Sequence, residues 1–216
     1  MTCPSSGSRA VTDSLARLGA HRSGAVAYLG LAFLMVSALV GFAAASVVSA
    51  TREEEADGFL DNLVVGPVGR IPWLTARVGV AAGIVLVCGL TAGVAGWAGA
   101  ATQHTGIPFG TMIAAGVNTV PPTILLIGLG TLAHGVIPRR TTIVVYGLLG
   151  WAFLIQMIGS VTKVNRWVLD TSILHHVTPA PAANPHWVGA MILVALGCAA
   201  AAAGVGVFNR RDLVGA

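Results

Sequence analysis

Val78-Gly-Val-Ala-Ala-Gly-Ile-Val-Leu-Val-Cys-Gly-Leu-Thr-Ala-Gly-Val-Ala-Gly-Trp-Ala-Gly-Ala-Ala101 opens a run that continues to Pro138 without one Asp, Glu, Lys or Arg. A helix of about twenty apolar residues crosses the roughly 30 Å hydrocarbon core of a bilayer. The sixty-one residues of this run are enough to cross twice. The polar stretch Ala101-Thr-Gln-His-Thr-Gly-Ile-Pro108 supplies the turn between the crossings. No water-soluble domain leaves so long a segment uncharged, so the chain reads as an integral membrane protein.

Working outward, four further observations agree. Apolar residues make up 55% of the chain and charged residues 9%, with a mean hydropathy of +0.82. An ordinary soluble domain carries about 25% charged residues. Five apolar stretches are long enough to span: 25–50, 78–101, 109–137, 142–161 and 187–208. Each is expected to be helical, because unpaired backbone is not tolerated in lipid. The fold class is therefore all-α, a single transmembrane domain over 25–216 preceded by a polar tail, 1–24. That tail lacks the pattern of a signal peptide, since Arg9, Arg17 and Arg22 are spread along it and the apolar run behind it is too long.

Within the third stretch, Pro121-Pro122 removes two backbone donors, so a kink or break is expected there. Asn118 lies one turn earlier. Polar or broken helix at membrane depth must face protein or water. Asn118, Pro121 and Pro122 are therefore candidates for lining a substrate path. His134, near the end of the same stretch, reads first as a hydrogen-bonder at a helix interface and joins them as a weaker candidate. Gly79/Gly83 and Gly89/Gly93 on the second stretch have the small-xxx-small spacing that lets helices approach closely.

Orientation is read from the basic residues. If the loop after the first stretch is cytoplasmic, the inside collects Arg52, Arg70, Arg77, Arg139, Arg140, Arg210 and Arg211. The outside then holds Lys163 and Arg166 with the three tail arginines, seven against five. The C-terminus is expected in the cytoplasm.

Several function classes find no support. The basic residues are scattered rather than gathered into the patch that nucleic acid requires. Cys3, Cys88 and Cys198 form no metal or redox spacing, and Cys88 and Cys198 sit in apolar runs as small hydrophobes. His175-His176 and His186 lack accompanying ligands other than Asp170, so no metal is expected. Ser160 and His134 have no nucleophile context for an intramembrane protease. The chain has no G-x-x-x-x-G-K-[ST] motif, and its single lysine, Lys163, is wrongly placed for one. Neither a cofactor nor an enzymatic activity of its own is expected.

The informative segment lies between the first two stretches: Thr51-Arg-Glu-Glu-Glu-Ala-Asp-Gly-Phe-Leu-Asp-Asn-Leu-Val-Val-Gly-Pro-Val-Gly-Arg-Ile-Pro-Trp73. Five of the eight acids of the chain fall in nine residues, 53–61. On a helix over 52–65, Leu60, Leu63 and Val64 share one face, and Glu54, Asp57 and Asp61 share another. Gly66-Pro67 ends that helix, and Trp73 is expected at the membrane interface. Two readings stand for such a segment: a solvated acidic surface helix, or an amphipathic docking element for a soluble partner.

Glu54-Glu55-x-x-Gly58-x-x-Asp61-x-Leu63-Val64-x-x-Pro67-Val68-x-Arg70 resembles the E-E-x-x-G-x-x-E-x-L-L-x-x-P-x-x-R signature of exporter-type bacterial ABC permeases. The actinobacterial branch described as polyketide-antibiotic (tetronasin-type) exporters is the nearest likeness. Pro121-x6-Gly128-x-Gly130 with Gly135-x-x-Pro138-Arg139 resembles the fourth span of that family and its cytoplasmic exit. Ser172-Ile-Leu-His-His-Val-Thr-Pro179-Ala-Pro181 is similar to its external loop, with Ile-Leu standing where the family has Pro-Phe. Phe208-Asn-Arg210-Arg211-Asp212-Leu213 is similar to its F-x-R-R-D-L close. Phe59 stands where the family usually has a basic residue.

The resemblance implies that 52–65 is a cytoplasmic coupling helix gripped by a separate ATP-binding subunit. Arg52, Glu53, Glu54, Glu55, Asp57, Gly58, Asp61, Leu63, Pro67 and Arg70 would carry that contact. It further implies a second permease half or copy, a multi-pass place in the bacterial cell membrane, and export of an amphipathic or hydrophobic compound. The family unit has six spans, and Val11–Gly24 looks like the loop after the first. The chain is thus expected to be the C-terminal half of a longer permease, or a unit completed by another chain. A non-transporting anchor or assembly subunit is the rival reading, with an intramembrane enzyme behind it.

Overall fold

A computed structural model of the chain describes residues 29–30, 32–54, 69–103, 105–161 and 186–210. Most of these are helical, with no strand among the described residues. In chain order the helices are α1 (Ala32–Glu54), α2 (Arg70–Thr102), α3 (Phe109–Val117), α4 (Val120–Val136), α5 (Thr141–Val161) and α6 (Trp187–Arg210). A single 3-10 turn, Pro138–Arg140, joins α4 to α5. Four segments are long and apolar enough to cross a membrane: Ala32–Glu54, Ile71–Thr102, Phe109–Val136 and Trp187–Arg210. Helix α5, 21 residues long, covers the fourth expected span, 142–161, but is not among these four, so four of the five expected spans appear among the described residues.

The expected boundaries hold where turn chemistry is local and shift where it is not. Phe109 starts α3 as anticipated, after a turn in which Gly106 takes φ +67°. A side chain rarely adopts that conformation. The break in the third span also appears. Helix α3 ends at Val117 and α4 begins at Val120, with Asn118 and Thr119 between them. Pro121 and Pro122 stand in the first turn of α4, where a missing N–H is least costly. They cannot donate to the Val117 and Asn118 carbonyls, so the two helices do not run on as one regular ladder.

Two starts differ from expectation. Helix α2 begins at Arg70, eight residues ahead of the expected 78, because Arg70 and Arg77 lie inside the helix instead of outside it. Pro72 is no obstacle in a first turn. At 33 residues, α2 is about 50 Å long at 1.5 Å per residue, well beyond one bilayer core. Likewise α1 runs through Glu54, so Arg52, Glu53 and Glu54 form its last turn and do not open a separate coupling helix. Residues 55–68 lie outside the described residues, as do 1–28, 162–185 and 211–216.

Packing relies on small residues. Gly128 and Gly135 on α4 meet Gly197 and Gly204 on α6, backbone against backbone. A Cβ on Gly197 would stand 2.7 Å from the Ile124 carbonyl oxygen, and one on Gly204 2.5 Å from that of Thr131. Helices α2 and α3 meet in the same way. A Cβ on Gly93 would stand 2.9 Å from the Met112 carbonyl, and Gly89 lies against Gly116. In lipid, such close approach supplies the dispersion and carbonyl contacts that the hydrophobic effect does not. Gly79 and Gly83, with identical spacing, have nothing within 4 Å.

Helix α1 lies against both pairs through side chains. Phe33 packs with Ala100, Met112 and Ala115. Val40 and Ala44 meet Ala81, Val85 and Ile127, while Ala45 and Val48 meet Leu126, Val145 and Leu149.

Candidate functional site

Every described charged residue lies at one end of the bundle. Arg52, Glu53 and Glu54 end α1, Arg70 and Arg77 begin α2, Arg139 and Arg140 form the 3-10 turn, and Arg210 ends α6. The described turn at the opposite end, 105–108, carries no charge. Six arginines against two glutamates give this end an excess of +4 from the described residues alone.

Three contacts tie the helix ends together there. The Arg77 guanidinium donates to the Glu54 carboxylate, joining the end of α1 to the start of α2, the two stems that flank 55–68 in the sequence. Arg52 Nε donates to the Pro138 carbonyl at 3.1 Å, joining α1 to the exit of α4. The third is an aromatic column. The Arg77 guanidinium sits 5.9 Å from the Trp73 ring centroid, Trp73 stacks on Phe208 at 6.4 Å, and Phe208 stacks on His134 at 5.5 Å. Five contact residues from α1, α2, α4 and α6 thus form one connected chain around the base of the acidic segment.

Magnitudes decide what each link does. The Arg77 and Glu54 side chains are 41% and 34% exposed, so solvent screens their ion pair to about 0–1 kcal/mol. It sets the spacing of the stems more than it holds the fold. Phe208 is fully buried, and Trp73 and Leu74 are buried with it. That apolar knot is the stabilising element of this end. Trp73 is covered by the end of α6.

Beside the column lies a cavity of about 10 Å³, close to the least volume that admits a water molecule. Thr51, Arg77, Thr131 and His134 give it polar walls; Val48 and Ile127 are among its apolar ones. The Thr51 and Thr131 hydroxyls donate to the Val47 and Ile127 carbonyls at 2.9 and 2.8 Å, so both are satisfied within their own helices.

The expected site residues fall into three groups. Arg52, Glu53, Glu54 and Arg70 are gathered at the charged end. Glu55, Asp57, Gly58, Asp61, Leu63 and Pro67 lie outside the described residues. Asn118, Pro121, Pro122 and His134 are buried inside the bundle; of these, only His134 borders the cavity. Among the described residues no three of His, Cys, Asp or Glu come together as a metal site. Sequence reasoning missed the roles of Trp73, Arg77 and Phe208. Only the closing motif at Phe208 offered a hint of its place at this end.

A bundle of long apolar helices, packed through glycine and, among the described residues, charged at one end only, is the architecture of a multi-pass membrane protein. The family model for the C-terminal domain of the multidrug efflux system permease Rv1217c matches residues 5–209, and the chain belongs to that family. Among curated proteins, none matches the chain.

Proposed function

We propose that the chain is the membrane-spanning part of an ATP-driven exporter, with its charged end in the cytosol and 55–68 as the handle for a separate ATP-binding subunit. The observation that carries this reading is that charge among the described residues stands at one end: all six described arginines lie at the end of the bundle where α1 leads into the acidic segment and α2 leaves it. Arginine-rich ends are retained on the cytoplasmic side, and lipid phosphates there add about 1 kcal/mol per basic residue. Helix α5 then completes five crossings, which leaves the C-terminus inside. The acids Glu53 to Asp61 supply charge complementarity that fixes the register of a basic partner surface more than its raw affinity. A second permease half or copy faces this one, and the cargo is amphipathic or hydrophobic, in keeping with membrane-depth surfaces that carry no described charge.

The family supports efflux, and a sequence without a phosphate-binding loop is in keeping with an energy source on a separate subunit. Asn118 and Pro121-Pro122 are buried, so they reach a cargo only when the bundle opens beside α4.

The test is charge reversal at positions that leave the Arg77–Glu54 pair intact. Glu55→Lys with Asp57→Lys should abolish stimulation of the co-purified ATPase in liposomes while membrane insertion is unchanged. A non-transporting anchor would give no stimulation before or after. Labelling adds the orientation: a membrane-impermeant thiol reagent applied to intact cells should modify Gly110→Cys and spare Asp57→Cys. The reverse pattern refutes the proposal.

A further inference from the structure

The glycine contacts divide the bundle into two tightly joined pairs. Helices α2 and α3 touch backbone to backbone at Gly89, Gly93 and Gly116, and helices α4 and α6 at Gly128, Gly135, Gly197 and Gly204. Contacts of this kind cannot slide without steric collision, because no flexible side chain lies between the backbones. The covalent link between the pairs is the two-residue break Asn118-Thr119, which the proline pair isolates from a continuous helix.

Elsewhere the pairs meet through side chains. Ala81 and Val85 of α2 lie against Ile127 of α4, and Trp73 lies against Phe208. The cavity of about 10 Å³ sits in this seam, walled by α1, α2 and α4. Helix α1, which touches both pairs, carries two buried hydroxyls, Ser37 Oγ and Ser49 Oγ, with no partner among the described residues. Buried hydroxyls are normally bonded, so α1 retains polar capacity that this arrangement leaves unused.

From these observations we infer that the chain is a two-body device, in which α2–α3 swings against α4–α6 about Asn118-Thr119 and opens the seam at the charged end. The geometry is that of a hinge formed by a few residues at element ends, combined with shear of side-chain contacts along α1. Gly89 packs beside Thr119 and Val120, so the pivot lies next to the α2–α3 contact. From Gly89 to Arg70 the lever is about 28 Å long, and a displacement of about 3 Å at its end is a rotation of about 6°. The inference rests on the fold alone, so it can fail while the ATPase-docking reading stands, and the converse.

Distances between spin labels in lipid nanodiscs test it, in a chain with Cys3, Cys88 and Cys198 replaced by Ser or Ala. Thr91→Cys with Thr111→Cys reports within α2–α3. Val136→Cys with Val207→Cys reports within α4–α6, and Ile71→Cys with Val207→Cys reports across the seam. All five positions are exposed. The distance distribution across the seam should be about twofold broader than either internal one, as hinge motion requires. Pro121→Ala with Pro122→Ala, which restores two backbone donors, should narrow the seam distribution to the internal width while both internal pairs keep theirs. Equal widths for all three pairs in the chain with its prolines overturn the hinge, whatever the double variant does. A seam distribution that stays broad in a double variant with unchanged internal pairs overturns the assignment to Asn118-Thr119.

Discussion

Replacing Gly197 by Ala adds one methyl group to α6, and the contact it meets allows the cost to be worked out. The new Cβ would lie 2.7 Å from the Ile124 carbonyl oxygen and 2.9 Å from the Leu125 Cα. Both are backbone atoms of α4, so no rotamer change relieves the clash. Ordinary contact begins near 3.4 Å, so α6 must retreat by about 0.7 Å, and a gap of that size forfeits about a quarter to a half of each dispersion contact along the seam. Overpacking of this kind costs about 1–3 kcal/mol. Alanine also favours helix over glycine, by about 1 kcal/mol in water, which works in the opposite direction. The control that removes this term is Gly206→Ala on the same helix, where nothing lies within 4 Å of the new atom. The propensity gain is common to both variants, so their difference isolates the clash. Unfolding in mixed micelles by added dodecyl sulfate, followed by circular dichroism, should place Gly197→Ala about 1–3 kcal/mol below Gly206→Ala. If the two variants unfold at the same detergent fraction, α4 and α6 are not in backbone contact and the two-body division loses one of its bodies.

Two further substitutions address the turn and the aromatic knot by the same unfolding measurement. Gly106→Ala should lose about 1 kcal/mol, because φ +67° is costly for any Cβ-bearing residue, while Gly106→Asn loses less. The space around that Cβ is open, so a loss equal in the two variants would trace the effect to something other than backbone conformation. Phe208→Ala should cost about 3 kcal/mol, since it empties the fully buried site between Trp73 and His134, and Phe208→Leu should cost less than half of that. Indifference to both would place the knot outside the folded core.

What could be read from the sequence divides along a physical line between local and non-local causes. The long uncharged run, the start at Phe109 and the break near Pro121-Pro122 follow from desolvation and backbone chemistry within a few residues, and each is where it was expected. A charge reads as the limit of a membrane-spanning helix, and on that basis α2 is expected from Val78 and not from Arg70. Yet Arg77 reaches the Glu54 carboxylate from within the helix, and an arginine can extend its head toward the interface from there. Spacing alone failed for the glycines: Gly79/Gly83 and Gly89/Gly93 look alike, and only the second pair meets another backbone, because a motif does not specify which face is covered. A recoverable signal was present elsewhere. Gly128/Gly135 and Gly197/Gly204 share a seven-residue interval on two separate helices, which puts each pair on one face and lets the faces match. Trp73 against Phe208 had no such signal, since the two residues are joined only by the path of α6 back to the charged end. The acidic segment was legible as chemistry before any of this geometry. The structure adds that its stems are tied by Arg77 and Glu54 and that the α2 stem rests on the buried knot through Trp73 and Leu74. In the two-body proposal, a force on that segment would act on α1 through Glu54 and on α2 through Arg70, the two helix ends that the Arg77–Glu54 pair joins.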